Sequence, residues 1–96
     1  MKIVLSNHLK IRLKQRKIPQ DYPKRILKQS DDNFLDSETG HKIAVKKLMY
    51  GGKLRPMVVA YDKIVSEIQV ITVYPTTEQE IGNRAKSGRW IKDEKN

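Results

Sequence analysis

The chain has 96 residues and a formal net charge of +9, from 20 Lys and Arg against 11 Asp and Glu. Its length predicts one domain spanning residues 1–96. It contains no cysteine, which excludes a disulfide framework and a thiolate zinc site. No apolar run approaches the roughly 20 residues that span a bilayer, and the N-terminus lacks the pattern of a signal peptide. We therefore expect a cytoplasmic protein with no membrane association.

Positive charge is concentrated in the N-terminal third. Residues 1–28 hold nine Lys or Arg and a single acidic residue, Asp21, for a net charge of +8, whereas the remainder carries +1. A field of this sign attracts polyanions such as nucleic acids. A merely solvated face is one alternative. A membrane-surface helix is less favoured, because the segment lacks the Trp and Phe that anchor interfacial helices.

Leucines at helical spacing predict a first helix. Leu5, Leu9 and Leu13 recur every four residues and so form one buried stripe. Asn7 is a suitable N-cap, and the helix is expected to run to about Lys17. The polar residues between these leucines are therefore expected to face solvent or the rim of the core.

A second helix is predicted after a proline break. Pro19 ends the first helix, because the residue before a proline avoids helical geometry. Asp21 can cap the next helix, whose first turn tolerates Pro23. Its buried side is expected to hold Tyr22, Ile26 and Leu27.

The pattern changes to strands after a turn at residues 31–33. Strands are predicted at Phe34–Leu35, His41–Tyr50, Leu54–Asp62 and Glu67–Tyr74. Gly51 and Gly52 mark a hairpin between the second and the third. Thr77 and Glu80 have capping-box spacing, so a short C-terminal helix can follow. The sequence thus predicts an α+β fold, with two N-terminal helices packed on one face of a curved antiparallel sheet of about four strands.

Alternation assigns the strand residues to faces of the sheet. Ile43, Val45 and Met49 are expected on the buried face of their strand. In the last strand, one face is expected to hold Ile68, Val70, Thr72 and Tyr74, and the other Gln69, Ile71 and Val73. This pattern predicts that Thr72 and Tyr74 lie together at the end of the strand.

The sharpest local motif is His8, Arg12 and Arg16, spaced four residues apart along one face of the first helix. This row overlaps the edge of the leucine stripe, so we expect it at the rim of the contact between helix and sheet. A histidine exchanges protons near neutral pH, and arginines bind phosphate with two hydrogen bonds. These groups suit cleavage of RNA without a metal. In the plainer interpretation, His8 caps or packs and the arginines are solvated.

A second set of candidate residues lies on the sheet and in the C-terminal tail. Thr72 could orient the substrate, and Tyr74 could stack on a base or donate to a phosphate. The other predicted RNA-binding residues are Lys10, Lys46, Arg55, Tyr61, Arg84 and Arg89. For each of these, an ordinary solvent-facing strand or helix residue is the competing interpretation.

The second histidine, His41, lies beside a turn and has no partner at a useful spacing, so we interpret it as structural. Two distant histidines without cysteine make a metal site improbable. The sequence contains neither a glycine-rich phosphate loop nor a nucleophile elbow. We therefore expect no metal and no cofactor.

Three motifs resemble those of a family of small bacterial and archaeal domains of formally unknown function, related to the RelE and ParE toxins and to colicin D-like nucleases. The motifs are His8-x3-Arg12-x3-Arg16-x-Ile18, Val58-Val59-Ala60-Tyr61 and Val70-Ile71-Thr72-Val73-Tyr74-Pro75. They cover roughly residues 5–75, most of the chain. The tail from Arg84 to Trp90 also resembles nuclease toxins that end on an arginine and an aromatic residue.

The resemblance implies a fold and a reaction. The fold is two N-terminal helices against a curved antiparallel sheet of about four strands. The reaction is metal-independent RNA cleavage by attack of the 2′-hydroxyl, which leaves a cyclic phosphate. His8 matches the family's first-helix histidine, Arg12 and Arg16 match its basic positions, and Thr72 matches its last-strand hydroxyl. Such proteins usually have an antitoxin or immunity partner, which we expect to be acidic.

Three functions remain open from the sequence. The first is an endoribonuclease toxin, with His8 as general acid or base, and Arg12 and Arg16 stabilising phosphate charge. The second is a non-catalytic RNA-binding or regulatory module that uses the same basic face. The third is a ParE-like toxin that acts on a protein. No catalytic carboxylate is evident between Gly40 and Gly52, so a general base opposite His8 is not identified.

Overall fold

The computed structural model describes residues 2–93. In chain order the elements are β1 (Lys2–Val4), α1 (Asn7–Gln15), α2 (Tyr22–Lys28), β2 (Asp32–Asp36), β3 (Lys42–Tyr50), β4 (Lys53–Ile64), β5 (Glu67–Pro75), α3 (Glu78–Lys86) and β6 (Trp90–Lys92). The predicted α+β class is confirmed, and the short C-terminal helix is present. None of the helices in this range has both the length and the apolar composition that crossing a bilayer requires.

All the strands of the described residues form one sheet in the order β1-β5-β4-β3-β2-β6. The four predicted strands form its antiparallel centre. The prediction of about four strands was wrong, because a short strand is added at each edge. β1 pairs in parallel with β5, with Val4 opposite Gln69. β6 pairs antiparallel with β2, with Trp90 opposite Asp36. Three residues are too few for alternation to be visible in a sequence.

One face of the sheet packs against α1 and α2. The helices and the connection between them contribute buried apolar side chains at Leu9, Leu13, Ile18, Tyr22 and Ile26, and the sheet contributes Ala44, Leu48, Met57, Val59, Val70 and Val73. We call this set the helix-side core. Leu9 and Leu13 of the predicted leucine stripe are therefore buried, whereas Leu5 lies before α1 and is only partly buried. The charged residues between the leucines are left at the border of this core or outside it.

A second core covers the other face of the sheet. It consists of Phe34, Ile43, Val45, Val58, Ala60 and Trp90, with Tyr74 and Ile81 packed against it. We call this set the α3-side core. The two N-terminal helices lie on one face as predicted, whereas α3, whose face was not predicted, packs on the other through Ile81. Both faces of the central strands are buried along part of their length, so apolar residues are consecutive rather than alternating at 43–45 in β3 and 57–60 in β4. Met49, predicted to be buried, is 54% exposed near the end of β3.

The ends of α1 differ from the prediction in ways that bear on the site. Ser6, rather than Asn7, is the N-cap, and its Oγ accepts a hydrogen bond of 3.1 Å from the backbone N–H of Leu9. The helix ends before Lys17, whose φ of 58° is left-handed. The N–H of Ile18 then donates to the carbonyl of Leu13 at 2.8 Å, which closes the helix end.

Of the other two helices, α3 has the N-cap that was predicted and α2 does not. Thr77 caps α3 as predicted, because its hydroxyl accepts from the N–H of Glu80 at 3.1 Å. Asp21 precedes α2 but makes no capping hydrogen bond with its side chain. Its carboxylate instead lies 4.0 Å from the Arg25 guanidinium. α2 therefore relies on Pro23 in its first turn and on its buried face.

A β-bulge in β5 overturns the predicted alternation of that strand. Ala60 pairs with Thr72, but the next residue of β4, Tyr61, pairs with Val70, so Ile71 is extra. An extra residue shifts every later side chain to the other face. Val70 and Val73, predicted on opposite faces, therefore both belong to the helix-side core.

Candidate functional site

A surface pocket of about 250 Å³ lies between the start of α1 and the edge of β5. Its walls are formed by Ser6, His8, Leu9, Arg12, Ile71 and Thr72. We call it the His8 pocket. Three of the four residues predicted to be catalytic, His8, Arg12 and Thr72, thus line one concavity, although 60 residues of chain separate the last two. The structure brings the helix motif and the strand motif together.

Local structure explains why these residues meet. β1 pairs with the first three residues of β5, and the chain then turns directly into α1 at Ser6. The first turn of α1 is therefore held beside β5. Burial of Leu9 and Leu13 fixes the rotation of the helix. His8 and Arg12 then lie along the same flank, one helical turn apart.

The side chains of His8 and Arg12 are available to a ligand. Both residues are exposed. Within residues 2–93, neither side chain makes a hydrogen bond or ion pair with the protein. The His8 pocket also contains the start of α1, where the helix dipole is positive. The arrangement therefore favours an anion.

Arg16, the third basic residue of the motif, does not line the His8 pocket. Its Nη1 donates a 3.1 Å hydrogen bond to the backbone carbonyl of Val73 in β5. Its own carbonyl accepts a 2.6 Å hydrogen bond from the Tyr50 hydroxyl of β3. Arg16 therefore fastens the end of α1 to the sheet. The sequence motif did not indicate this structural role.

Thr72 lines the pocket from the part of β5 that β1 does not cover. Its partner in β4 is Ala60, which belongs to the α3-side core. The register therefore places the Thr72 side chain on the face of the sheet opposite α1. Thr72 still lines the pocket because it lies on the edge of β5 that β1 leaves uncovered. Tyr74, predicted to act beside Thr72, packs against the α3-side core and does not line the His8 pocket.

The C-terminal arginines form a separate cluster near Tyr74. The Arg84 guanidinium lies 5.2 Å from the centre of the Trp90 ring, on its face. Burial raises the pKa of the Tyr74 hydroxyl, while the nearby positive charges of Arg84 and Arg89 partly offset that rise. A shallow concavity of about 400 Å³ is lined by Glu80, Asn83, Arg84, Ser87 and Arg89. These predicted RNA-binding residues are thus grouped apart from the His8 pocket.

Arg89 has a clear structural role in this cluster. Its Nε and Nη2 donate to the carboxylate of Asp36 at 3.2–3.3 Å. Asp36 is 4% exposed. Burial acts to raise the pKa of its carboxyl group, but hydrogen bonds from Arg89 and from the N–H groups of Glu38 and Thr39 outweigh it and lower that pKa. The pair joins the last residue of β2 to the residue before β6.

The remaining predicted RNA-binding residues are dispersed. Lys10 lines a different concavity of about 390 Å³, together with Ile3, Leu5, Gln20, Asp21 and Lys24. Lys46 lies 4.0 Å from Asp31. Tyr61 is half-buried against the helix-side core, and burial together with the negative charge of Asp93 raises its pKa. Arg55 is partly buried, and its Nε has no hydrogen-bond partner within residues 2–93. The structure does not bring these four residues to the His8 pocket.

His41 has a partner that sequence spacing did not reveal. Its Nδ1 lies 2.7 Å from Oδ1 of Asp62, and both side chains are about one third exposed. Lys42 pairs with Tyr61 in the β3–β4 ladder, so the preceding and following residues meet across the two strands. The register of the hairpin formed by β3 and β4 is the signal from which this contact could have been predicted. Within residues 2–93 no group of three His, Cys, Asp or Glu side chains could hold a metal ion.

Comparison with known proteins gives no match: no family model matches the chain, and no curated protein or solved structure is significantly similar to it.

Proposed function

We propose that this protein is an endoribonuclease that cleaves RNA in the His8 pocket without a metal cofactor. The observation that carries the proposal is the meeting of His8 and Arg12 with the edge of β5 in one concavity. Four of its six lining residues belong to residues 1–28, the segment that holds +8 of the net charge of +9. The resemblance of the helix and strand motifs to RelE-like and colicin D-like nucleases supports the same reaction. RNA as the substrate implies action in the cytoplasm.

In the proposed reaction the ribose 2′-oxygen bonds to the adjacent phosphorus, and the bond from phosphorus to the 5′-oxygen breaks. The products are a 2′,3′-cyclic phosphate and a 5′-hydroxyl. One proton leaves the 2′-hydroxyl and one is added to the 5′-oxygen. His8 performs one of these transfers, and water performs the other. Arg12 donates hydrogen bonds to the non-bridging phosphate oxygens, where negative charge increases. Thr72 shapes the wall and transfers no proton.

Arg16 acts through position rather than by contact with the phosphate in this proposal. Its hydrogen bond to Val73 keeps α1 against β5, which sets the distance between His8 and the strand edge. The positive charge of Arg16 also adds to the electrostatic field around the pocket. An acidic protein, such as an antitoxin, is the partner that would cover α1 and block RNA.

The test is cleavage of RNA by purified protein in buffer that contains a metal chelator. The expected products carry a cyclic phosphate and a 5′-hydroxyl, and the chelator does not stop the reaction. General acid–base catalysis contributes about 10²–10⁴ in rate, so His8→Ala should lower single-turnover cleavage by that factor. Lys28→Ala, at an exposed position of α2, is the matched control and should cleave at the parental rate. A folded His8→Ala variant with parental activity would show that His8 is not catalytic.

A second function is favoured by the chemistry of the pocket wall. The lining of the His8 pocket contains one histidine and no carboxylate, so within residues 2–93 no second acid–base group lies opposite His8. A wall of this kind also suits RNA binding without cleavage. In that case RNA remains intact at every protein concentration, while Arg12→Ala still weakens binding. Mapping of RNA ends together with a binding measurement distinguishes the two functions.

A further inference from the structure

A second groove opens next to the His8 pocket. It has a volume of about 350 Å³ and is lined by Val4, Ser6, Gln69, Val70 and Ile71. Ser6 and Ile71 line both concavities, so the two adjoin along the edge of β5. We call it the Gln69 groove. A ligand that fills the His8 pocket therefore has its neighbouring atoms beside this groove.

The fold creates this groove at the point where β5 loses its outer neighbour. β1 ends at Val4, opposite Gln69, and the chain then leaves the sheet for α1. The bulge at Ile71 follows immediately on the other side. Ile71 is 42% exposed at this position, although it is apolar. The groove thus offers an apolar surface to a flat ligand.

Gln69 is the long polar side chain of the groove. It is half-buried, and within residues 2–93 its carboxamide has no hydrogen-bond partner in the protein. A carboxamide offers two donor hydrogens and an acceptor oxygen, which matches the mixed donor and acceptor edge of a nucleobase. Ser6 adds a hydroxyl donor, because its oxygen already accepts from the Leu9 N–H. Apolar walls and a free amide therefore favour a base over a phosphate.

We propose that the Gln69 groove binds the nucleobase next to the phosphate held in the His8 pocket, and that Gln69 selects which base is bound. The inference rests on the proposed RNA substrate. It defines the substrate class as single-stranded RNA, because a paired base would not present its edge to the amide. The positive charge of Arg12 retains the strand while the groove reads the base. Val4 and Ile71 contact the faces of the ring.

The test measures the affinity of four short single-stranded RNAs, each with one base type, by fluorescence anisotropy. The parental protein should prefer one base, and Gln69→Ala should remove that preference. One hydrogen bond corresponds to roughly a 2- to 10-fold difference in affinity. Gln79→Ala, which removes the same side chain from an exposed position of α3, is the matched control and should keep the preference. An oligonucleotide with an abasic site should bind the parent and Gln69→Ala equally.

Several outcomes would overturn this assignment. One is an unchanged base preference in folded Gln69→Ala. Another is equal affinity of the parent for the normal and the abasic strand, which would leave the groove to a protein segment instead of a base. The test does not depend on cleavage. The parent could bind RNA with a base preference that Gln69→Ala removes and yet cleave no RNA. That result would refute the nuclease proposal and support base binding in the Gln69 groove. No binding to any of the four RNAs would refute both.

Discussion

Within residues 2–93, two residues other than glycine adopt the left-handed backbone conformation that glycine prefers. Lys17 has a φ of 58° just after α1, and Val65 has a φ of 54° in the turn between β4 and β5. A left-handed conformation costs a residue with a Cβ atom about 1–2 kcal/mol. Glycine would avoid this cost at the end of α1, where Leu13 and Ile18 close the helix. Retention of a lysine there keeps a positive charge beside the proposed RNA surface.

We expect Lys17→Gly to raise stability while it lowers RNA affinity. Relief of the left-handed strain should increase the free energy of unfolding by about 1 kcal/mol, or roughly 4–8 °C in Tm for a domain of this size. Loss of one cation should weaken RNA binding at low salt. Lys17→Ala is the control, because it removes the charge but keeps the strain. Equal melting temperatures for the Gly and Ala variants would contradict the strain argument.

The buried carboxylate of Asp36 predicts a pH dependence of stability. Its pKa is lower in the folded protein than its ordinary value, because the hydrogen bonds from Arg89, Glu38 and Thr39 outweigh the opposing effect of burial. A group of this kind stabilises the fold fully above its unfolded pKa of about 3.9, and the stabilisation is lost as pH falls through the folded pKa. Acid should therefore weaken the link between β2 and β6.

Asp36→Asn should reduce stability by about 1–3 kcal/mol at pH 7, since it leaves hydrogen-bonding groups of Arg89 unpaired. The difference from the parent should shrink as the pH is lowered below about 4. Denaturant unfolding across a pH series measures both effects. Asp32→Asn is the control, because Asp32 forms a partly exposed pair with Lys92 and such pairs contribute at most about 1 kcal/mol. A constant difference at all pH values would contradict the assignment.

At this scale the sequence predicted what is local and missed what depends on register. His8 and Arg12 were found because helical spacing alone places them on one flank. The contact between His41 and Asp62 was missed because it exists only once β3 and β4 are paired. Arg16 was identified as a cation, but its hydrogen bond to Val73 depends on how α1 docks. Sequence periodicity carries no information on that docking.

Among the elements, β5 has an outer edge that the short β1 covers only as far as Gln69. An uncovered strand edge invites pairing with another chain. Three features protect it here. Ile71 is bulged, Arg16 occupies the carbonyl of Val73, and Pro75 has no N–H to donate. The edge is therefore closed to a further strand, while the neighbouring concavities stay open.

Removal of the Arg16 side chain should expose this edge. Arg16→Ala loses one hydrogen bond to the backbone and should lower stability by about 0.5–1.5 kcal/mol. The freed Val73 carbonyl should also promote self-association, which sedimentation velocity at increasing protein concentration detects. Arg12→Ala removes the same type of charge without freeing the edge and should remain parental in both measurements. Wild-type stability and sedimentation of Arg16→Ala would mean that the tether is not structural.

The longer helices and strands could be predicted from the sequence, and the shortest strands could not. The helices and the four long strands follow from periodicity and from turns such as Gly51–Gly52. β1 and β6 were missed because a three-residue strand has no pattern of its own. The face assignment in β5 failed at the bulge, where a single extra residue, Ile71, is invisible to a period of two.

At the scale of the whole molecule, the two faces of the sheet carry different charge arrangements. On the α3 side, Arg89 forms ion pairs with Asp36 and Glu38. On the helix side, His8 and Arg12 make no ion pair within residues 2–93. Residues 1–28 carry +8 of the net charge of +9, so most of the uncompensated positive charge belongs to the segment that forms α1 and α2. A polyanion should dock there rather than on the face covered by α3.

Docking through this surface predicts a steep salt dependence of RNA affinity. Each phosphate contact releases counterions, and the logarithm of the binding constant falls with the logarithm of salt concentration by about 0.7 per contact on a single strand. We expect Arg12→Ala to reduce this slope by about 0.7. Lys86→Ala, near the end of α3, should leave it unchanged. Titrations of a single-stranded RNA at four or more salt concentrations measure the slopes.

The comparison of these two variants identifies the docking face independently of any cleavage. A slope that drops for Arg12→Ala but not for Lys86→Ala places the phosphates beside α1. A drop for Lys86→Ala alone would move the RNA to the α3 side, where Arg84 stacks on Trp90. A flat response of the parent would mean that its +9 charge does not contact phosphates at all, and the nuclease proposal would lose its physical basis. The expected result is a steep parental slope, because the charge is concentrated in residues 1–28 rather than spread over the surface.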